Sequence, residues 1–207
     1  MQKCIIFDMD GTLIDSAHAL CAAINGVRAE LGMHDLSRDA IMQIVNHPDA
    51  NAITRLYGGK ITDAMRKSFQ EKMSAHYASA PLFDESSKVI DWARQNDILL
   101  AVASNASQQS VDENIARLNL NDSFVALVGT SDDLPQKPEP KMLLAIINSL
   151  KCDAIFIGDS IKDHLAAKNA NIPYINVLWG HGIALDGCAN LNNADKIIEH
   201  IKILKGW

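Results

Sequence analysis

The feature that most constrains this chain is an alternation of two periodicities. Short, β-branched apolar runs occur at residues 4–7, 98–103, 124–128, 154–157 and 174–178. Between the later runs lie segments with apolar residues at helical spacing, over residues 84–95, 107–118, 139–150 and 160–171. An apolar run of four to six residues suits a strand buried on both faces, and a helix after each strand returns the chain parallel to itself. The pattern predicts an α/β fold built on a doubly wound parallel sheet. Ser107 and Ser160 stand where N-caps belong, and Pro138 suits the start of the helix that follows it.

One stretch breaks the rhythm. Between residues 16 and 80 no strand pattern occurs, and helical patterns run over 17–31 (closed by Gly32), 38–45, 49–57 (closed by Gly58 and Gly59) and 63–78. A single crossover helix needs far fewer residues. The expectation is a small all-helical cap at 16–80 inserted into an α/β core formed by 1–15 and 81–207. A chain of 207 residues is long enough for one sizeable core with such an insertion.

Composition removes several classes. A formal charge of −6 with no basic cluster argues against a nucleic-acid partner. No apolar run approaches the roughly 18 residues of a membrane span, and the opening MQKCIIFDMD is too short in apolar residues for a signal peptide. Cys4, Cys21, Cys152 and Cys188 lack metal-ligand or C-x-x-C spacing, which reads as reduced thiols and a cytoplasmic location. Nothing in the pattern fixes an oligomeric state.

In a doubly wound sheet, ligands bind beyond the carboxyl ends of the strands. Asp8 and Asp10 follow the first run in IIFDMDGTLIDS. Ser104 and Asn105 follow LLAVA, Asp159 follows IFIG with Asp163 one helical turn on, and Lys137 lies in QKPEPK. Any one aspartate alone reads as a turn or N-cap residue. Together at one sheet edge they outnumber Lys137, and like charges about 4 Å apart repel by roughly 4 kcal/mol at an effective dielectric of 20. A divalent cation resolves the surplus. An all-oxygen site without His or Cys suits Mg²⁺.

DMDGTLIDS, then SN, then KPEP, then GDS-x-x-D resembles the four motifs of the haloacid dehalogenase superfamily, especially its phosphoglycolate-phosphatase and β-phosphoglucomutase-like members with a helical cap. The resemblance implies a Rossmann-like core and a Mg²⁺-dependent phosphatase acting on a small phosphorylated metabolite. On that likeness Asp8 is the nucleophile that forms an aspartyl-phosphate. Asp10 is the acid–base residue, and two positions along an extended chain put both carboxylates on one side. Gly11, Thr12, Ser104 and Asn105 would contact the phosphoryl group, and Lys137 would offset its charge. Mg²⁺ would be held by Asp8, Asp159 and the Asp10 carbonyl, with Asp163 orienting waters or Lys137 behind them. An Asp at position 10 disfavours a dehalogenase, since halide leaves without a proton. A β-phosphoglucomutase-like transferase, a phosphonatase or a non-catalytic phosphometabolite-binding module are the alternatives.

Other features carry weaker signals. Asp15 and Ser16 read as a helix N-cap, and His181, between glycines in Trp179-Gly-His-Gly, reads as a loop residue near the pocket rim. The polar stretch 46–51 is a solvated turn or a set of specificity residues. Lys60 after Gly58-Gly59 lacks P-loop spacing. Pro81-Leu82-Phe83-Asp84 replaces the Pro-Gly that often follows such a cap. The last helix, 195–204, is expected to pack on the sheet.

Overall fold

The structure is a computed structural model and describes residues 1–45, 51–180 and 182–207. Two compact units compose it, one formed by Met1–Ile14 with Leu82–Trp207 and the other by Asp15–Pro81.

In the first unit the apolar runs become parallel strands. They are β1 (Gln2–Phe7), β2 (Leu99–Ser107), β3 (Ala126–Thr130), β4 (Cys152–Gly158) and β5 (Tyr174–Val177), joined by a short sixth strand, β6 (Ala189–Leu191). The sheet order is β3-β2-β1-β4-β5-β6. The chain therefore steps outward from β1 through β2 and β3, crosses back, and steps outward again from β4. The reversal falls between β1 and β4, whose register runs from Gln2 opposite Cys152 to Phe7 opposite Ile157. Such a switch point opens a crevice at the carboxyl ends of the two strands.

Strand residues of alternate parity bury on opposite faces. Cys4, Ile6, Ala101, Ala103, Ala154 and Phe156 form one core with Met142, Leu143 and Ile146 of α7 (Lys141–Leu150) and Ala166 and Ala167 of α8 (Ile161–Ala170). The other parity, Ile5, Phe7, Leu100, Val102, Ile155 and Ile157, is equally buried. Burial on both sides of β1 explains why its sequence is a continuous apolar run rather than an alternating one. Helices α5 (Asp84–Gln95) and α6 (Gln108–Arg117) also pack on β2.

The N-caps at Ser107 and Ser160 are present, each hydroxyl accepting from the backbone N–H three residues on. Three expectations need correction. The helix expected from 139 starts at Lys141 behind Pro140, and Pro138 belongs to the preceding loop, where its bond to Lys137 is cis. The third strand starts at Ala126, not 124. Ser16 precedes the first helix but makes no side-chain capping bond, because its backbone is already helical there. The last helix, α9 (Ala194–Lys205), packs chiefly on α5, whose Glu85 accepts from Ala194 N at 2.6 Å. Its Ala194, Ile197 and Ile201 are fully buried, and Lys205 near its end pairs with Asp153 of β4 at 2.5 Å.

The second unit is helical among its described residues: α1 (Ala17–Glu30), α2 (Arg38–Val45), α3 (Ala52–Tyr57) and α4 (Asp63–Tyr77). It has its own core of Ala17, Ile24, Ile41, Met42 and Leu56. The buried Arg28 guanidinium closes it by donating to the carbonyls of His34 and Leu56. The start expected for the third helix at 49 and most of the polar stretch 46–51 lie outside the described residues. Among the described residues no helix is long and apolar enough to cross a membrane.

Candidate active site

Asp8 is the first residue past β1, at the switch point. Its N–H donates to Ile157 O at 2.8 Å, so the backbone still pairs with β4 while the side chain leaves the strand. The carboxyl is buried. Burial pushes its pKa well above the usual carboxylate range; Lys137 opposes this, and Asp163 and Asp159 add to it.

Lys137 reaches the same point from the loop before α7. Its ammonium is 2.5 Å from Asp8 Oδ1 and 2.6 Å from Asp163 Oδ1, and donates to Ala103 O at 2.9 Å. The Phe156 ring lies beneath it, 5.3 Å from centroid to Nζ. Burial works against the charged ammonium, yet Asp163 and Asp8 outweigh it and hold the Lys137 pKa above its ordinary value. Asn105 holds the Lys137 backbone from both sides: its amide oxygen accepts from Lys137 N at 2.7 Å, and its nitrogen donates to Lys137 O at 3.2 Å.

Asp163 is shared between two duties. Oδ2 accepts from Ser160 Oγ at 2.5 Å and from Ser160 N at 3.1 Å, completing a capping box on α8, while Oδ1 faces Lys137. Asp8, Asp159 and Asp163 each offer a carboxylate oxygen within 4.8 Å of the others. Like charges at that separation repel by at least about 3 kcal/mol per pair at an effective dielectric of 20. One ammonium does not balance three carboxylates. Buried, all-oxygen and surplus in negative charge, the donor set fits a hard divalent cation of the Mg²⁺ type.

The sequence reasoning put Asp10 among four clustered carboxylates; the buried cluster comprises three. Asp10 is half-buried and stands in the turn that follows Asp8. That turn is closed by Gly11 N donating to Ile14 O, and by Leu13 N and Ile14 N donating to Met9 O, each at 2.9 Å. Gly11 has φ +78°, and a side chain there would collide with Asp159, so glycine is required twice over. Thr12 is fully buried, and among the described residues its hydroxyl has no hydrogen-bond partner. Its carbonyl accepts from Ser86 Oγ at 2.7 Å and Trp179 Nε1 at 3.0 Å.

The structure thus brings Asp8, Lys137, Asp159 and Asp163 into one buried cluster at the ends of β1 and β4. Ser104 follows in the same layer, buried, with its hydroxyl accepting from Ala106 N at 3.1 Å. Asp15 instead faces Arg38 at 3.4 Å. His181 lies outside the described residues. Sequence reasoning passed over three neighbours: Phe156, Trp179 and Gly180. A methyl group on Gly180 would overlap the Gly11 carbonyl and stand 2.5 Å from Asp159 Oδ2. A Trp-Gly pair just past the last long strand was the available signal.

A profile of haloacid dehalogenase-like hydrolases matches residues 5–177. The chain is 27% identical over 194 residues to phosphoglycolate phosphatase 1 of Pseudomonas aeruginosa, covering 87% of this chain and 71% of that protein. It is 29% identical over 188 residues to the phosphoglycolate phosphatase of Agrobacterium fabrum, covering 85% and 80%. Among solved structures, a haloacid dehalogenase-like hydrolase of Streptococcus pneumoniae superposes with a TM-score of 0.81 at 18% identity, over 97% of this chain and 98% of the other. A subfamily IA hydrolase of Geobacter sulfurreducens gives 0.72 at 21% identity, over 97% and 96%. At those identities the structures speak for the fold alone, whereas the profile spans the strand before Asp8, Lys137 and the Asp159–Asp163 pair, and on that match the chain belongs to the haloacid dehalogenase-like hydrolase family.

Proposed function

We propose that this protein is a Mg²⁺-dependent phosphatase of the reducing cytoplasm, acting on a small phosphorylated metabolite of the phosphoglycolate kind through an aspartyl-phosphate on Asp8. One observation carries the reading. A buried carboxyl at the switch point shares a single lysine with a second carboxylate while a third stands beside them. Curated relatives named phosphoglycolate phosphatases support the substrate class, and four free cysteines agree with the compartment.

An Asp8 carboxylate oxygen attacks phosphorus; the new O–P bond forms as the bond to the ester oxygen breaks. Asp10 gives its proton to the departing alkoxide, then takes one from the water that attacks the phosphorus of the aspartyl-phosphate. Inorganic phosphate leaves, and Asp8 is regenerated. Lys137 stabilises negative charge on the phosphoryl oxygens and returns to Asp8 at the end of the cycle. Ser104 and the Asn105 backbone offer further donors to the phosphoryl group. Asp8, Asp159 and the Asp10 carbonyl would hold Mg²⁺, which when bound offsets the charge of the carboxylates and of the phosphoryl group.

The test is a phosphate-release screen over phosphorylated metabolites, with 2-phosphoglycolate included, run with Mg²⁺ and after chelation. Release that needs Mg²⁺ and disappears in the Asp8→Asn protein is the expected result. A folded protein that releases phosphate from no ester at millimolar Mg²⁺ would overturn the reading.

A further inference from the structure

The turn carrying Asp10 is closed by its own hydrogen bonds, but those bonds do not fix its orientation against the sheet. Asp8 has its own anchors, in the strand pairing with β4 and in Lys137. Asp10 stands two residues further along, beyond the strand. Two carbonyls of the turn, those of Thr12 and Leu13, are held by groups from elsewhere in the fold. The Thr12 carbonyl has both lone pairs engaged, by Ser86 Oγ of α5 at 2.7 Å and by Trp179 Nε1 at 3.0 Å. These donors lie 74 and 167 residues away in sequence. The Leu13 carbonyl accepts from Phe83 N at 2.8 Å, and the Phe83 ring lies 6.4 Å from the Trp179 ring. Gly180 then lays its Cα against the Gly11 carbonyl, where a methyl would not fit.

From this arrangement we infer that Trp179 and Ser86 are positioning residues for Asp10, acting through the Thr12 carbonyl they jointly hold. The inference rests on the phosphatase reading and adds what fixes the proton-transfer group. Ser86 is fully buried, so its bond is not replaced by water, and the indole N–H is the only polar atom of the half-buried Trp179 side chain. With both donors removed, only the Phe83 bond to the Leu13 carbonyl remains of these anchors, so the turn's internal bonds open more often and Asp10 is held less firmly relative to Asp8. A displacement of about 1 Å is enough to cost a catalytic group about 100-fold. The nucleophile stays in place. The loss therefore falls on the step that needs a proton, and substrates differ in how much they need one.

The experiment compares wild type with Trp179→Phe, Ser86→Ala and the double variant. The ratio of kcat/KM for 2-phosphoglycolate to that for 4-nitrophenyl phosphate is the kinetic readout, because kcat/KM reports formation of the aspartyl-phosphate. A nitrophenolate leaves almost unaided, whereas an alkoxide needs the proton. In the double variant, the alkyl ester should fall by about 10-fold or more and the aryl ester by less than about threefold. A second readout is independent of activity: amide hydrogen exchange. Gly11, Leu13 and Ile14 N–H should exchange faster, while Asp8 N–H, bonded to Ile157 O, should not change. Unchanged exchange in the turn overturns the clamp whatever the activity. Faster exchange with equal losses on both esters overturns its link to Asp10. If wild type cleaves neither ester, the phosphatase reading fails instead, and exchange alone decides the clamp.

Discussion

Lys137 Nζ lies 2.5 Å from Asp8 Oδ1, across 129 residues of sequence. It also donates to Ala103 O at 2.9 Å, and Asp163 Oδ1 stands 2.6 Å away as a second ionic partner. The ammonium that pairs with Asp8 is itself held, from its backbone by Asn105 and from its tip by the cluster.

Removing that cation should depress every substrate alike. Lys137→Ala is expected to lower phosphate release by about 10²-fold or more on alkyl and aryl esters together, because the charge it offsets is common to all of them. It should also lower stability, since breaking a buried ion pair costs about 3–5 kcal/mol before the orphaned carboxylates take up protons. Urea unfolding measures the second effect. Losses confined to some substrates would contradict the role.

The opposite substitution should separate chemistry from stability. Asp8→Asn keeps an acceptor for Lys137 and removes one of three crowded carboxylates. Turnover should fall to background, while the metal-free protein melts at or above the wild-type temperature. A destabilised Asp8→Asn protein would mean that the Asp8 charge holds the fold together, against the balance of burial and repulsion around it.

The same balance sets a pH dependence. The Asp8 carboxyl is raised by burial first, and by Asp163 and Asp159, above the value it has in the unfolded chain. Its contribution to stability is therefore fully present below the ordinary carboxylate range and is lost as pH rises through its elevated folded value. Thermal melts of the chelated protein should show stability declining over that window, and Mg²⁺ should flatten the decline. A melt that rises through the window in chelator would reverse the sign and refute the account.

Much of this was readable from residues alone. The runs around Ile5 and Ile155 are apolar at every position because both faces of a central strand are covered, and that is a sequence property. The helix over Arg38–Val45 was bounded by its pattern. β6 was not legible, since Ala189-Asn190-Leu191 is three residues long with a polar centre whose amide is spent on Leu185 and Asn176. Asp8 and Asp159 declare themselves by ending apolar runs. The reach of Asn105 to the Lys137 backbone and of Trp179 to Thr12 depends on tertiary distance, and no local spacing encodes it. Asp163 reads equally well as a cap and as a partner of Lys137 because it is both.

Two glycines in one loop should answer differently to the same change. Gly182 has φ +70°, but its space is open, the nearest atom to an added methyl being Leu178 O at 3.6 Å. Gly182→Ala should therefore cost about 1–2 kcal/mol of stability from backbone strain alone and leave the Mg²⁺ requirement untouched. At Gly180 the added methyl overlaps the Gly11 carbonyl and presses on Asp159 Oδ2, so either the loop or the carboxylate must move. Since Asp159 belongs to the carboxylate cluster, displacing it should raise the Mg²⁺ concentration for half-maximal activity by about 10-fold or more, the scale seen when groups supporting a metal ligand are disturbed. Titrating activity and direct Mg²⁺ binding for both variants makes the comparison. An equal shift in the two would mean that the loop acts through its flexibility rather than through the contact of Gly180 with Asp159.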